Sequence, residues 1–296
     1  MIDALYNKIF SHFYDSSWIY SGLMLLSFSI LLIIDFFINR QESAISRLVA
    51  KEKSIKIDCI VFLLDALKLF PFLVFIWTFG IPWLVKYPIN SNLNINFLHI
   101  IHNPILQSII YIVALDFLGY WAHRVLHRID FLWEIHKLHH SASSMNIMTA
   151  NRRHPLETGF RWVFFALPLA LIGAPIETFI AATLFSIVSG QVHHLNANWC
   201  FGIIGKYLLV SPMYHKIHHS IEDHHFDKNF AIRFCIWDRV FGTYCAPEIQ
   251  PITIGLRCNN FNELGYLKAL ISSTQSSIQK VKIRCSYPKF IKDDVK

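Results

Sequence analysis

Four apolar stretches constrain this chain more than any other feature. A bilayer core takes about 20 apolar residues as helix. Trp18–Asn39, Cys59–Val85 and Pro104–Ala122 each meet that length. The fourth stretch, Phe160–Val188, is broken by Pro168 and again by Gly173-Ala174-Pro175. Of the 296 residues, 54% are hydrophobic and 16% charged, and the mean hydropathy is +0.39. An average soluble domain carries about 25% charged residues. The deficit excludes a disordered chain and argues for an integral, multi-pass membrane protein. The expected class is all-α. About three full transmembrane helices and a short helical hairpin carry a cytoplasmic helical domain.

Charge in the loops orients the spans. Arg40, Arg47, Lys51, Lys53 and Lys56 follow the first stretch, whereas Tyr87–Asn103 holds no Lys or Arg. By the positive-inside rule the 40–56 loop is cytoplasmic. The third span then returns the chain to the cytoplasm at His123. Arg124, Arg128, Lys137, Arg152, Arg153 and Arg161 agree with that side. Asp65 and Lys68 are spaced to pair inside the second span. The N-terminus lacks a charged n-region and a small-residue cleavage site, so the first span is expected to stay as an anchor. The net charge of +7 forms no basic stripe interleaved with aromatics, so no nucleic-acid partner is expected. Six cysteines contain no C-x-x-C pair, which leaves neither a thiolate zinc site nor a disulfide framework.

Histidine is the anomaly. Of 16 histidines, 13 lie between His123 and His225. They open as H-x-x-x-H (His123, His127), then H-x-x-H-H (His136, His139, His140), and H-x-x-H-H again (His215, His218, His219). Residues three and four apart share a helix face, so each cluster offers two or three imidazoles to one point. Imidazole suits Fe, Zn, Cu and Ni. One metal cannot take eight nitrogens, so two metals are implied. The clusters can meet only if 160–188 leaves and returns. That requires a hairpin whose arms, about 13 residues or about 20 Å each, fall short of a full crossing.

Further residues extend the set. His193 and His194 follow the hairpin directly. Adjacent helical positions diverge by about 100°, which favours one ligand of the two, His194. His193 and His154 stay open between ligation and a supporting role, with helix capping a further option for His154. Asp116, two turns before His123 inside a span, is a functional candidate that could orient a ligating imidazole or equally pair with a neighbouring helix. Tyr120 stands one turn before His123. Asn196, Asp227 and Asn229 are further supporting candidates. Three classes compete with a redox metal enzyme. A zinc hydrolase would need about three ligands and a general base, and H-E-x-x-H is absent. A bis-histidine membrane cytochrome would carry its ligands singly on facing helices rather than as adjacent pairs. A non-enzymatic metal-binding membrane protein that transports its ion would line a path through the spans with polar groups, and only Asp65, Lys68 and Asp116 lie well inside them.

The stretches DFLGYWAHRVLHR (116–128), FLWEIHKLHHS (131–141), TANRRHPLE (149–157), HHLN (193–196), SPMYHKIHHS (211–220), DKNF (227–230) and WDRVFGTY (237–244) together resemble the fatty acid hydroxylase / sterol desaturase superfamily of membrane di-iron oxidases. The resemblance covers 116–244. It is similar in spacing to the bacterial sterol-desaturase-like branch, that of alkylglycerol monooxygenase. Phe230-Ala231 departs from the aromatic-Gly that family members often carry. HHLN departs from their small residue before Asn. The resemblance implies two non-haem Fe, O2 as co-substrate, and hydroxylation or desaturation of an alkyl chain or sterol of a membrane lipid. It implies electrons from an external donor (cytochrome b5-, ferredoxin- or pterin-like). No fused cytochrome b5 module is expected. The layout divides into 1–103 as membrane anchor, 104–249 as catalytic domain and 250–296 as a tail frayed at its end. The low-Gly, Ile/Asn/Lys-rich composition suggests a bacterial inner membrane, with endoplasmic reticulum the eukaryotic counterpart.

Overall fold

A computed structural model describes residues 22, 25–82, 84, 97–173, 176–247, 252–258 and 260–286. Among the described residues, helices make up the regular structure, and strand pairing is confined to the isolated bridges Leu209–Phe234 and Ser220–Ile254. Helix α1 covers residues 25–39 of the first apolar stretch, and residues 18–21, 23 and 24 of that stretch lie outside the described set. Next come α2 (Ala44–Val49), α3 (Lys53–Ala66) and α4 (Phe70–Trp77). The long α5 (Pro104–Arg128) meets α6 (Asp130–His140) at Ile129. Helices α7 (Pro155–Ile172) and α8 (Ile176–His193) follow. Short helices α9 (Gly202–Tyr207), α10 (Pro212–His218), α11 (Ile236–Val240) and α12 (Phe261–Leu264) lead to α13 (Tyr266–Ser286).

Local chemistry sets the helix ends that matter. The Asn103 side chain accepts from the N–H groups of Ile105 and Leu106 at 3.0 and 3.1 Å, and Pro104 opens α5. Both features are standard starts, because the first turn has donors without helical partners and no use for the N–H that proline lacks. Ser211 and Pro212 start α10 in the same way, with Ser211 Oγ accepting from the Tyr214 N–H. Among the described residues, α5 is the helix long and apolar enough to cross a membrane unaided.

The second apolar stretch does not run straight. Helices α3 and α4 meet at 95°. Lys68, between them, takes a left-handed φ of 62°. Pro71 would both lack the bond to the Leu67 carbonyl and clash with it if α3 continued. The expected continuous span over Cys59–Val85 is therefore corrected to a bent pair, and Val85 itself lies outside the described residues. Asp65 also has a partner beyond its own helix: its carboxylate accepts from Asn151 Nδ2 at 2.7 Å.

The fourth stretch leaves and returns as the histidines require. Both α7 and α8 are 18 residues, about 27 Å each and so longer than the expected arms. Gly173 takes φ 58° at the turn. Ser108 Oγ and Thr178 Oγ1, 3.2 Å apart, tie α5 to α8. On the other side, α13 packs along α6, where Ser273 and Ser277 donate to the carbonyls of Glu134 and Phe131.

A buried ion pair joins the pieces around the histidines. Arg152 and Asp58 have fully buried side chains and meet at 3.0 Å. Arg152 also donates to the carbonyls of Leu138 and Ser54, to Ser141 Oγ and to Asn262 Oδ1. Asp58 accepts from Asn146 and Thr149. Removing one partner of such a pair strands the other charge and costs about 3–5 kcal/mol. Asp58→Ala is therefore expected to lower the thermal unfolding midpoint in detergent far more than Glu42→Ala, whose ion pair with Arg47 is exposed. Equal midpoints would refute the structural role of the pair.

Candidate metal centre

The nine histidines favoured as ligands assemble into two groups. His123, His127, His136, His140 and His218 form the first, and His139, His194, His215 and His219 form the second. Within each group one nitrogen per residue lies within 4.8 Å of the others. The groups adjoin: the His140 and His219 rings stack at 4.3 Å between centroids.

The two H-x-x-H-H clusters do not each converge on one point, which corrects that expectation. Each is split. On α6 the i,i+4 pair His136 and His140 serves the first group and His139 the second. On α10 the i,i+4 pair His215 and His219 serves the second and His218 the first. The cause is helical angle. Positions three and four apart fall on either side of the starting residue, so the last two members diverge by about 100° and flank one face. Two such helices facing each other can divide their imidazoles between two points.

Backbone carbonyls fix the tautomers. His123 Nδ1 lies 2.9 Å from the Phe230 carbonyl and His218 Nδ1 2.8 Å from that of Lys228. His139 Nδ1 meets the Arg152 carbonyl at 3.2 Å and His194 Nδ1 that of Gly190 at 2.7 Å. A carbonyl only accepts, so each Nδ1 carries the proton and each Nε2 presents a lone pair. Nε2 of His123 and of His218 is buried without a protein hydrogen-bond partner. Nε2 of His139 and of His194 face each other at 3.4 Å. Two lone pairs aimed at one another repel unless a cation lies between them. The donor set is all imidazole, which fits Fe, Zn, Cu or Ni. Neutral imidazole is also the state that binds metal.

Burial enforces that neutrality. It pushes His218 down to about 3 and His194 to about 4, and it lowers His139, His140, His215 and His219 well below the ordinary range. An unfolded chain would take protons on these groups below about 6.5, and the folded chain refuses them. Their contribution to stability is thus full above about pH 6.5 and is lost as the pH falls toward the folded values. The metal-free protein is expected to unfold at progressively lower temperature from pH 7 to pH 5. A flat midpoint over that range would mean the imidazoles are charged in the fold.

The remaining candidates separate clearly. Asp116 reaches no imidazole: it accepts from Arg233 Nη1 at 3.2 Å, the Phe234 N–H at 3.0 Å and Trp237 Nε1 at 2.9 Å. That corrects its expected part in orienting a ligand, since a desolvated carboxylate in α5 binds the nearest cation and donors instead. The carboxylate that does face a grouped histidine is Glu157, with Oε2 3.0 Å from His136 Nδ1 and Oε1 3.0 Å from Arg161 Nε. Its signal in the sequence is an acid two residues beyond Pro155, at the end of the TANRRHPLE stretch. His154 lies outside both groups. Its Nδ1 accepts from the Leu156 N–H at 3.0 Å and its Nε2 lies 3.1 Å from the Leu270 carbonyl, so it caps α7 and ties it to α13. His193 is buried beside the second group but outside it. Asn196 Oδ1 accepts from Lys216 Nζ at 3.3 Å. Asp227 pairs with Arg128 at the surface at 3.2 Å.

Asn229 acts through the backbone. Its side chain bonds the Tyr214 carbonyl and both the N–H and the carbonyl of Cys245. It thereby fixes the segment whose Lys228 and Phe230 carbonyls hold His218 and His123. Asp238, a residue given no role from sequence, completes that fixation. It accepts from the N–H groups of Phe230 and Ala231 at 2.8 and 2.7 Å, and from Tyr214 and Thr243 hydroxyls at 2.5 Å each. Tyr120 joins through Thr243 Oγ1 at 3.0 Å.

The model of the family described as fatty acid hydroxylase matches residues 108–243. Residues 108–243 belong to the fatty acid hydroxylase family. The alkylglycerol monooxygenase of Danio rerio is 35% identical over 147 residues, 48% of this chain and 32% of that protein. The ornithine lipid hydroxylase of Rhizobium tropici is 30% identical over 141 residues, 48% of this chain and 42% of that protein. A Delta(7)-sterol 5(6)-desaturase of Gibberella zeae is 31% identical over 153 residues, 48% of this chain and 38% of that protein. The chain thus spans less than half the length of these curated relatives. No solved structure matches it. The fatty acid hydroxylase segment contains all nine grouped histidines and Glu157.

A carboxylate behind a ligating imidazole typically raises metal affinity about 10–100-fold. Glu157→Gln is expected to weaken metal retention by that order in a competition with a chelator, whereas Asp116→Asn should leave it unchanged in the folded fraction. The reverse ranking would restore Asp116 to the site.

Proposed function

We propose that the protein is an O2-dependent, non-haem di-iron oxidoreductase that hydroxylates or desaturates an alkyl chain or sterol of a membrane lipid. The observation that carries this reading is the division of nine imidazoles, eight of them buried and four locked in one tautomer by carbonyls, into two adjoining groups. The names of the relatives, lipid monooxygenase, lipid hydroxylase and sterol desaturase, support the substrate class. A C–H bond of an alkyl chain is too inert for acid–base chemistry, so the hard step belongs to the cofactor, which supplies oxidising power drawn from O2 and two electrons. The first group of histidines would hold one iron and the second group the other.

The chain's own residues do the rest. The Phe230, Lys228, Arg152 and Gly190 carbonyls hold four imidazoles in the tautomer that presents Nε2. Glu157 holds His136 from behind. Burial keeps bulk water away from the nitrogens. No carboxylate is among the grouped donors, and Glu157 faces the outer nitrogen of His136, so nothing in the groups serves as the general base that a zinc hydrolase needs.

The protein is read as an integral, multi-pass membrane protein with the site on the cytoplasmic side. Support comes from α5, whose Ile105, Ile109, Val113 and Phe117 are exposed along one stripe, and from Arg124, Arg128 and Lys137 just past it. Arg152 does not count toward that charge, because its side chain is fully buried in the fold. Electrons come from an external donor of the cytochrome b5, ferredoxin or pterin kind.

Lipid mass spectrometry under 18O2 tests the reaction, comparing cells that express the wild type with cells that express His218→Ala. A lipid gaining one labelled oxygen only with the wild type is expected for a hydroxylase. A lipid losing two hydrogens without label marks the desaturase form. Full turnover by His218→Ala with metal content unchanged would refute the assignment.

A further inference from the structure

An exposed apolar surface supplies none of the grouped histidines. Phe201, Ile203, Ile204, Tyr207 and Leu208 are all exposed on and around α9, with Ile203 at 77%. Beside them, Ile236 and Val240 of α11 are exposed, Val240 at 63%. The two short helices are joined: Cys235 N–H donates to the Leu208 carbonyl at 3.0 Å, and Arg239 donates to the Lys206 carbonyl. They move as one surface. Contiguous apolar exposure on this scale marks a contact site, whereas scattered apolar residues would need no explanation.

The surface continues the lipid-facing stripe of α5. That stripe ends at Phe117, whose ring lies 5.1 Å from Trp237 and 6.4 Å from Phe241. Trp237 and Phe241 flank the exposed Val240. Trp237 is also anchored to α5 through Asp116 at 2.9 Å. The run from Ile105 to Phe117 covers about 18 Å of helix and the first grouped histidine follows about 9 Å later. The patch therefore stands at the level where α5 leaves its apolar stretch.

Cations and aromatic rings surround that level. The Arg239 guanidinium lies 3.7 Å from the Tyr244 ring centroid and 5.0 Å from that of Tyr207. Lys206 Nζ lies 5.2 Å from the Tyr207 ring, and Arg124 lies 5.4 Å from the Trp121 ring. Amphipathic rings beside Lys and Arg are the composition of a membrane–water boundary. An apolar face with basic residues at its edge is the composition of a helix lying in that boundary.

We propose that residues 201–208 and α11 form a second membrane contact, seated in the headgroup–acyl boundary of a phospholipid bilayer, with Lys206 and Arg239 toward the lipid phosphates. The inference rests on the reading that α5 spans a membrane. It adds that the chain grips the bilayer beside the span, through a surface fixed to α5 by Asp116, and so holds the histidine groups at a set height above the acyl chains.

The test uses the full chain in vesicles of phosphatidylcholine and phosphatidylglycerol. An environment-sensitive label is placed at Ile203→Cys or at Ile204→Cys in a background with Cys59→Ser, Cys200→Ser, Cys245→Ser, Cys258→Ser and Cys285→Ser, which leaves only the buried Cys235. The same background with Ile109→Cys reports on α5, and the same background with Cys258 restored reports on that native, exposed thiol. Both patch positions are exposed, so either substitution should fold, and one serves if the other does not. The expected result is a blue-shifted label at 203 or 204. It should be quenched by a nitroxide high on the lipid chain and shielded from iodide, while the label at 258 is quenched by iodide. Iodide quenching at 203 and 204 with lipid quenching at 109 would overturn this inference and leave the span standing. Shielding from both quenchers would also overturn it, since protein would then cover the patch. Iodide quenching at 109 would remove the membrane reading itself.

Discussion

The structure depends on packing nine imidazoles together, eight of them buried, with their nitrogens aimed inward. Burying that many ring nitrogens leaves several without any protein partner, and an unsatisfied buried polar atom costs about 1–3 kcal/mol. Tautomer control makes the cost larger in the metal-free chain, because carbonyls that pin Nδ1–H turn lone pairs toward one another. His139 and His194 show it most directly at 3.4 Å. A divalent cation converts that repulsion into bonds. The cluster thus has the donors to hold metal, and the surrounding chain has to be stiff enough to keep it assembled on its own.

That stiffness comes from three ionisable side chains that touch no grouped imidazole themselves. Arg152 gathers α3, α6 and α12, and its own carbonyl receives His139. Asp238 ties down the N–H groups of Phe230 and Ala231, and the Phe230 carbonyl receives His123. Asp116 clamps Arg233, Phe234 and Trp237 to α5. Arg152 donates to acceptors, and Asp238 and Asp116 accept from donors, on separate segments of the chain. A charge in an apolar chain is expensive to desolvate, and here that expense is offset by fixing irregular backbone whose carbonyls then serve the histidines. The left-handed φ values of Asp227 and Asn229, 59° and 58°, belong to the same device: they shape the segment so that the Lys228 and Phe230 carbonyls reach separate rings.

The gathering of the nine histidines was legible in the sequence because H-x-x-H-H on a helix restricts where rings can go. The return of the 160–188 stretch was legible because histidines on both sides have to meet. The bend between α3 and α4 was hidden in an apolar run of the right length, although Pro71 was present to signal it. The exchange of roles between Asp116 and Glu157 was not legible at all. Spacing along α5 placed Asp116 on nearly the same face as His123, but which carboxylate reaches a ring nitrogen is set by how α7 packs on α6, and no local pattern records that.

The two-to-one division of the H-x-x-H-H clusters bears on why the motif occurs twice. A single cluster supplies an i,i+4 pair to one group and one ring to the other, so alone it would leave the groups unequal. A second copy on a facing helix, contributing in the opposite sense, gives three rings to each. His123 and His127 from α5 then complete the first group, and His194 at the end of α8 completes the second. The first group is thereby tied to α5 and the second to the returning hairpin. A shift of α8 relative to α5 would draw His194 away from His139, His215 and His219, or His123 and His127 away from their own group, because α6 and α10 each give rings to both groups and so set the distance between them. The Ser108–Thr178 contact and the salt bridge from Asp116 to Arg233, whose guanidinium also reaches Ser186 of α8, lock those two helices together. The completeness of each group is therefore held in part from the apolar part of the molecule, a full turn or more away from the nearest ligand.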